Sequence, residues 1–397
     1  MQSVAVLRSP KSIFYGREAF KQVGKEAALR GTKALIVSDQ IMNSLGYVKE
    51  CQTLLEKEGV SSVTYLGVVS EPTDQYVDHS LDLFKKENCD VIISVGGGSC
   101  IDTAKAVAVL ATNGGYIGDY MGGKKIANQA PVPHIAIPTT AGTGSEATDV
   151  TVITNIKEDI KMMVKQPAFM PEVAIVDALL TLSSPKNVTA ATGVDALCHA
   201  IEAYISKKAQ PMTDTFALSA IKLIVGNLLT AYNEGENVDA REAMSLGSLQ
   251  AGMAFSNASV CLVHGMSRPI GALFHVPHGI SNAMLLPAVL EYSKEACIDR
   301  LADIGRIFQP NAEVSNEEAA EIAVSSIKEL CLQLNIPNLR GWGIDQNVFE
   351  EVLDKMAVDA IDSGSPGNNP RVPSHQELIE LYRICFDYQL ALQENTL

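Results

Sequence analysis

No CxxC pair occurs among the eight cysteines, which are scattered at Cys51, Cys89, Cys100, Cys198, Cys261, Cys297, Cys331 and Cys385. Structural zinc ribbons and disulfide frameworks both need clustered cysteines, so neither is expected and the thiols read as buried and reduced. The opening stretch MQSVAVLRSPKSIFYG lacks the cationic start and apolar run of a signal peptide. No stretch reads as the ~18–20 apolar residues of a membrane helix. A cytoplasmic protein without a membrane partner is therefore expected. Positive charge is also scarce: 31 Lys and Arg stand against 46 Asp and Glu, for a net charge of −15. That balance excludes non-specific binding to nucleic acid or to an anionic membrane. What is abundant is core material, with 47% hydrophobic residues over 397 positions, enough for two domains and for no long disordered segment.

Two grammars divide the chain. Up to about residue 183, short β-branched runs alternate with helical stretches: strands at 33–39, 61–67, 89–95, 134–140 and 173–177, with helices at 41–58, 74–87 and 99–112. Segments 148–155 and 160–166 read as an antiparallel hairpin. The β-α-β alternation predicts a parallel sheet covered on both faces. At Leu182-Ser183-Ser184-Pro185 the pattern changes, with Ser184 expected to cap a helix that has Pro185 at its first position. Beyond it, 211–233, 239–258, 281–292, 294–308, 316–333, 346–360 and a last segment capped by Ser374 all have helical period. The expected architecture is an α/β domain over 1–183 and an all-α domain over 184–397, with a binding cleft between them.

Histidine is rare, seven in all, yet His264, His275 and His278 crowd into fifteen residues. In GVDALCHAIEAY a helix places Asp195 and His199 on one face, a turn apart. Asp195, His199, His264 and His278 can together bind one divalent cation. One carboxylate and three imidazoles suit Fe²⁺ or Zn²⁺ and leave a position open for a substrate oxygen.

VIISVGGGSCIDTAK reads as strand, glycine turn and helix. It matches neither GxGxxG nor the Walker pattern. Gly97 and Gly98 let the backbone approach a pyrophosphate, and Ser99 opens a helix whose N-terminus favours an anion. Asp39, at the end of the first predicted strand, can accept hydrogen bonds from ribose hydroxyls, which favours NAD over NADP. PTTAGTGSEAT presents Thr139, Thr140, Thr143 and Ser145 where α/β sheets place ligands. A metal and a nucleotide in one chain suggest redox chemistry on a small oxygenated substrate.

GGGSCIDTAK, PTTAGTGSE, GVDALCHAIEAY and HGMSRPIGALFHVPHG together resemble the iron-containing, group III alcohol dehydrogenase family, over essentially the whole chain. The resemblance implies a dinucleotide-binding α/β domain, a helical metal domain, NAD(H) and Fe²⁺ in the cleft, and a homodimer or larger assembly. It assigns Asp195, His199, His264 and His278 to the iron, and Gly97, Gly98 and Ser99 to the pyrophosphate. Asp39 falls to the adenosine ribose; Thr139, Thr140, Thr143 and Lys161 fall to the nicotinamide side. The activity implied is interconversion of a short-chain primary alcohol and its aldehyde.

One departure stands out. Many members carry a second histidine four residues after the third ligand, and here that position is Arg268. Arginine cannot serve as an ordinary acid or base, so His275, or water and the ribose hydroxyl, would carry the proton. Arg268 also suits a substrate with an anionic far end, such as sulfoacetaldehyde or a semialdehyde. Phe255, Val260, Leu262 and Phe274 are expected to narrow the pocket, and Asn369-Pro370-Arg371 is a further candidate for the cleft. The rival from another class is an NAD- and metal-using lyase or cyclase resembling dehydroquinate synthase. The sparse basic residues between 195 and 278 disfavour it.

Overall fold

Ala34, Leu35, Ile36 and Val37 are all fully buried, because successive residues of their strand point to opposite faces of a sheet and both faces are covered. Leu35 and Val37 join one core cluster and Ala34 and Ile36 another. The structure, a computed structural model, describes residues 4–158 and 160–390. Its strands are β1 (Ser12–Tyr15), β2 (Lys33–Val37), β3 (Ser61–Tyr65), β4 (Val91–Gly96), β5 (His134–Pro138), β6 (Val150–Asn155), β7 (Ile160–Lys165) and β8 (Val173–Val176). Six of them form a parallel sheet in the order β1-β8-β5-β4-β2-β3. The remaining two, β6 and β7, pair antiparallel, with Val152 opposite Met163.

The sheet order matters for function. From β2 the chain steps outward to β3, then returns to place β4 on the other side of β2. The connecting helices therefore leave opposite faces at the β2/β4 boundary, and a crevice opens beyond the carboxyl ends of these two strands. Helix Asp74–Lys86 and helix Gly98–Asn113 cover one face, and helix Tyr47–Lys57 the other.

Among the described residues, every regular element from Lys186 onward is helical. Helices Lys186–Ile205, Pro211–Asn233, Val238–Ala258 and His278–Ser293 contribute half of one large core. Two of the contacts that join the halves lie close together. Gly144 and Gly252 meet so closely that a Cβ on Gly252 would lie 2.6 Å from the Gly144 carbonyl oxygen. Ala147, Val176 and Leu249 form a small apolar cluster beside them.

Several expectations need correction. Ser184 does not cap the helix at the change of grammar; the cap position is Pro185, without a side-chain bond, and the helix begins at Lys186. The Ser184 carbonyl instead accepts from the buried Arg241. Strand β1 was not anticipated, since SIFY is short and only half-buried along its length. Helix Leu262–Phe274, which carries His264 and Arg268, was likewise missing from the reading, and its internal Pro269 explains why. Finally, helix Pro211–Asn233 is long and apolar enough by composition to cross a membrane. Here it lies against helices Lys186–Ile205 and Val238–Ala258, with Ala217, Ala220, Ile221, Ile224 and Leu228 fully buried.

Candidate metal centre and cofactor cleft

The Lys186–Ile205 helix brings Asp195 and His199 to one face, as a four-residue spacing requires. His264 comes from the first turn of helix Leu262–Phe274, and His278 opens helix His278–Ser293. The four residues converge, and one ligand atom from each lies within 4.8 Å of all the others. Asp195, His199 and His264 are buried, while His278 is half-open to the cleft. Gly279 allows this approach: a Cβ there would meet the Ala191 carbonyl oxygen at 2.7 Å.

Electrostatics fit a cation. Burial alone would raise the Asp195 carboxyl, but His199, His278 and His264 around it hold it well below the usual carboxylate range. Burial pushes the His199 imidazole down to about 4, and its Nδ1 is buried without a partner. Burial would lower His264 too, yet Glu202 and Asp195 hold it up at about 9. A metal ion supplies the positive charge that these orphaned donors and this carboxylate would otherwise have to find in protons.

Two residues of this centre escaped the reading. Glu202 accepts from His264 Nδ1 at 2.6 Å and from the backbone N–H groups of Cys261 and Val263 at 2.9 and 2.6 Å. That bond turns the other ring nitrogen of His264 toward the cluster. Asn282 donates its Nδ2 to Asp195 Oδ1 at 2.7 Å and lies 3.0 Å from His264 Nε2. Both were within reach of the sequence. Glu202 follows Asp195 by seven residues and Asn282 follows His278 by four, so each shares a helix face with a ligand.

The cluster opens into a cleft of about 520 Å³ between the halves. Gly98, Ser99, Thr143, Phe255, Val260 and Arg268 are among the residues that line it. The N–H groups of Gly98 and Ser99, at the start of helix Gly98–Asn113, have no partner within the helix and are available to an anion. A Cβ on Gly98 would meet Thr143 Cγ2 at 2.8 Å, whereas on Gly97 it would meet nothing nearer than Thr140 Oγ1 at 3.5 Å. Gly98 therefore packs the glycine turn on the threonine loop. Gly97 leaves a space that a phosphate can enter.

The other candidate residues divide. Lys161 lines the cleft and is ion-paired with Glu71. Asp39 caps helix Gln40–Ser44 through Met42 N at 2.8 Å, and its second oxygen lies near Gly96, at the crevice. Thr139 is buried, its N–H bound to the Gly96 carbonyl at 3.1 Å, and it does not line the cleft; neither does Thr140. His275 is exposed, in left-handed conformation (φ 54°) at the end of its helix, and outside the cleft lining. Its imidazole is not brought near the cluster. Phe255 stacks on His199 with ring centroids 4.2 Å apart. Leu262 lies in the helical core and Phe274 packs on Phe349, so neither narrows the cleft. Asn369 is buried against Ser293, and Arg371 pairs with Glu377 outside it.

Sequence and structure comparisons agree with this geometry. Residues 10–178 match the model of the family "Iron-containing alcohol dehydrogenase", and residues 189–386 that of "Fe-containing alcohol dehydrogenase family, C-terminal". The chain belongs to the iron-containing alcohol dehydrogenase family. A 1,3-propanediol dehydrogenase of Citrobacter freundii is 41% identical over 95% of this chain and 97% of its own. An NAD-dependent methanol dehydrogenase of Bacillus methanolicus is 39% identical over 94% and 98%. Among solved structures, a 1,3-propanediol oxidoreductase superposes with a TM-score of 0.92 at 38% identity, covering 96% of this chain and 100% of its own. This member of the family thus has its α/β and helical domains and its His/Asp metal cluster, and it is an oxidoreductase acting on alcohols and aldehydes.

Proposed function

We propose that this chain interconverts a short-chain primary alcohol and its aldehyde, using NAD(H) and Fe²⁺ in the cleft between its two halves. The observation that carries this reading is the convergence of Asp195, His199, His264 and His278 at the far end of a cleft that begins at the Gly98–Ser99 helix start. Asp195, His199, His264 and His278 would hold the metal, with Zn²⁺ the alternative that the ligand types leave open. Gly97, Gly98 and Ser99 would hold the pyrophosphate, Asp39 the adenosine ribose, and Thr143 and Lys161 the nicotinamide side. Bound there, the dinucleotide supplies or takes the hydride, and the cation draws electron density from the substrate oxygen.

The chain's own residues do the positioning. Helix Gly98–Asn113 aims its N-terminus at the phosphates, and Thr143 packs on that helix start. Phe255 and Val260 exclude water from the substrate's end of the cleft. Among the described residues, the histidines lining the cleft are the three of the cluster. His275, exposed and outside the lining, is not placed to exchange a proton with a substrate oxygen in the cleft, and solvent water would take that part. We further propose a domain boundary between 183 and 184, a homodimer or larger assembly, and cytoplasmic operation. The finer substrate reading is a small aldehyde with an anionic tail, such as sulfoacetaldehyde or a semialdehyde.

Anaerobically purified protein reloaded with Fe²⁺ should oxidise NADH with propanal, one equivalent per aldehyde reduced. A lyase that recycles its NAD would show no net consumption. If no short aldehyde draws down NADH at full metal occupancy, the reading falls.

A further inference from the structure

Several cationic side chains reach into or beside the cleft. Lys161 pairs with Glu71, Lys165 lies 3.8 Å from Asp149, and Lys105 lies 3.6 Å from Asp102. Lys208 also lines the cleft but is exposed, so water screens its charge. Arg268 is half-buried and has no carboxylate oxygen within 4.0 Å among the described residues. Its guanidinium touches Met163 Sδ at 3.1 Å and the Ser363 carbonyl at 3.5 Å, and neither carries charge. Glu202 acts on it through space, but Glu202 is already committed to His264, Cys261 and Val263. Burial lowers the Arg268 pKa, and Glu202 opposes that shift. Holding a charge partly out of water without a counter-ion is costly, and an anionic ligand would offset that cost.

Its placement says which ligand. Arg268 follows His264 by four residues on one helix, so the two side chains stand side by side, about 6 Å apart at their Cβ atoms. Met163 and Ser363 hold the guanidinium from β7 and from the loop after helix Gln346–Asp362. Five N–H donors in a planar fork match a carboxylate or sulfonate through two parallel bonds.

We propose that Arg268 is a substrate-binding residue that pairs with the terminal carboxylate or sulfonate of an aldehyde of two to about four carbons, whose carbonyl faces the Asp195–His278 cluster. The proposal rests on the aldehyde-reductase reading above. The reaction balances as RCHO + NADH + H⁺ → RCH₂OH + NAD⁺, and the anionic group keeps its charge throughout.

The test uses the Fe²⁺-loaded enzyme with propanal, succinic semialdehyde and sulfoacetaldehyde, in wild type, Arg268→Gln and Arg268→Lys. Wild type is expected to favour at least one anionic aldehyde over propanal by tenfold or more in kcat/KM. Whichever anion wins distinguishes carboxylate from sulfonate. In Arg268→Gln the anionic-to-neutral ratio should fall at least tenfold, chiefly through KM. Arg268→Lys should recover only part of it, because a point charge lacks the fork. Ethanesulfonate and propionate, which cannot be reduced, should inhibit wild type competitively against propanal and lose that inhibition in Arg268→Gln. Turnover of propanal with equal or better kcat/KM than both anions overturns the proposal and leaves the reductase reading intact. So does an Arg268→Gln variant that weakens NADH binding and slows all three aldehydes equally, since Arg268 would then serve the cofactor. Absence of turnover with every aldehyde instead removes the reductase reading itself.

Discussion

Glu202 shows how much of this centre depends on a residue that touches no substrate. Its short bond to His264 Nδ1 orients the ring and raises its basicity as a ligand. Glu202→Gln is expected to weaken Fe²⁺ or Zn²⁺ binding by about 10–100-fold, read by competition with a chromogenic chelator. An unchanged affinity would mean that packing alone orients His264. Glu146 sets a second test at the same scale. Burial raises its carboxyl from 4.5 to about 7, so the unfolded chain ionises first as pH rises. Its favourable contribution is whole below about pH 4.5, declines above it, and is lost once pH passes about 7, a change of about 3 kcal/mol. In urea unfolding, Glu146→Gln should shrink the stability lost between pH 5 and pH 8 by roughly 2–3 kcal/mol. Equal losses in variant and wild type would show that Glu146 is already ionised in the native state.

At the level of elements, a loop and a helix from the two halves meet backbone to backbone. Gly144, in left-handed conformation (φ 59°), meets Gly252 of helix Val238–Ala258, where a Cβ would lie 2.6 Å from the Gly144 carbonyl oxygen. Gly252→Ala should cost about 1–3 kcal/mol in urea unfolding, the usual penalty of forcing atoms into a filled contact. It should also weaken NADH binding, followed by fluorescence titration, since the displaced loop carries Thr143. Full NADH affinity in a destabilised Gly252→Ala would show that the contact serves stability alone. The same scale shows where sequence patterns stop. Short β-branched apolar runs predict the parallel strands well, because strands buried on both faces must be apolar throughout, and the half-buried β6–β7 hairpin also lies where expected. Such patterns miss helix Leu262–Phe274, whose Pro269 and glycines obscure a helical period.

For the whole molecule, the four ligands come from three helices separated by up to 83 positions, so a bound metal ties those helices together. A ligand that binds only the native state stabilises it by about 2.7 kcal/mol at a hundred times its Kd. Stripping the metal with a chelator should therefore lower the thermal midpoint by several degrees, and restoring Fe²⁺ should recover it. His264→Ala should abolish that shift, and a shift that persists in it would place the metal elsewhere.

The sequence by itself determined the ligand set, the glycine turn and the two-part plan. Each of these rests on local pattern: four residues for a helix face, a short apolar run for a buried strand, a glycine where the backbone must come close. Only the tertiary structure decided the rest. It buried Thr139, left His275 in solvent, and sent Leu262 and Phe274 into the core. Their neighbours in sequence are shared with true cleft residues, so spacing could not separate them. It also showed that Arg268 lacks a counter-ion among the described residues, because the absence of a partner is a property of everything packed around a charge, and no local pattern records it.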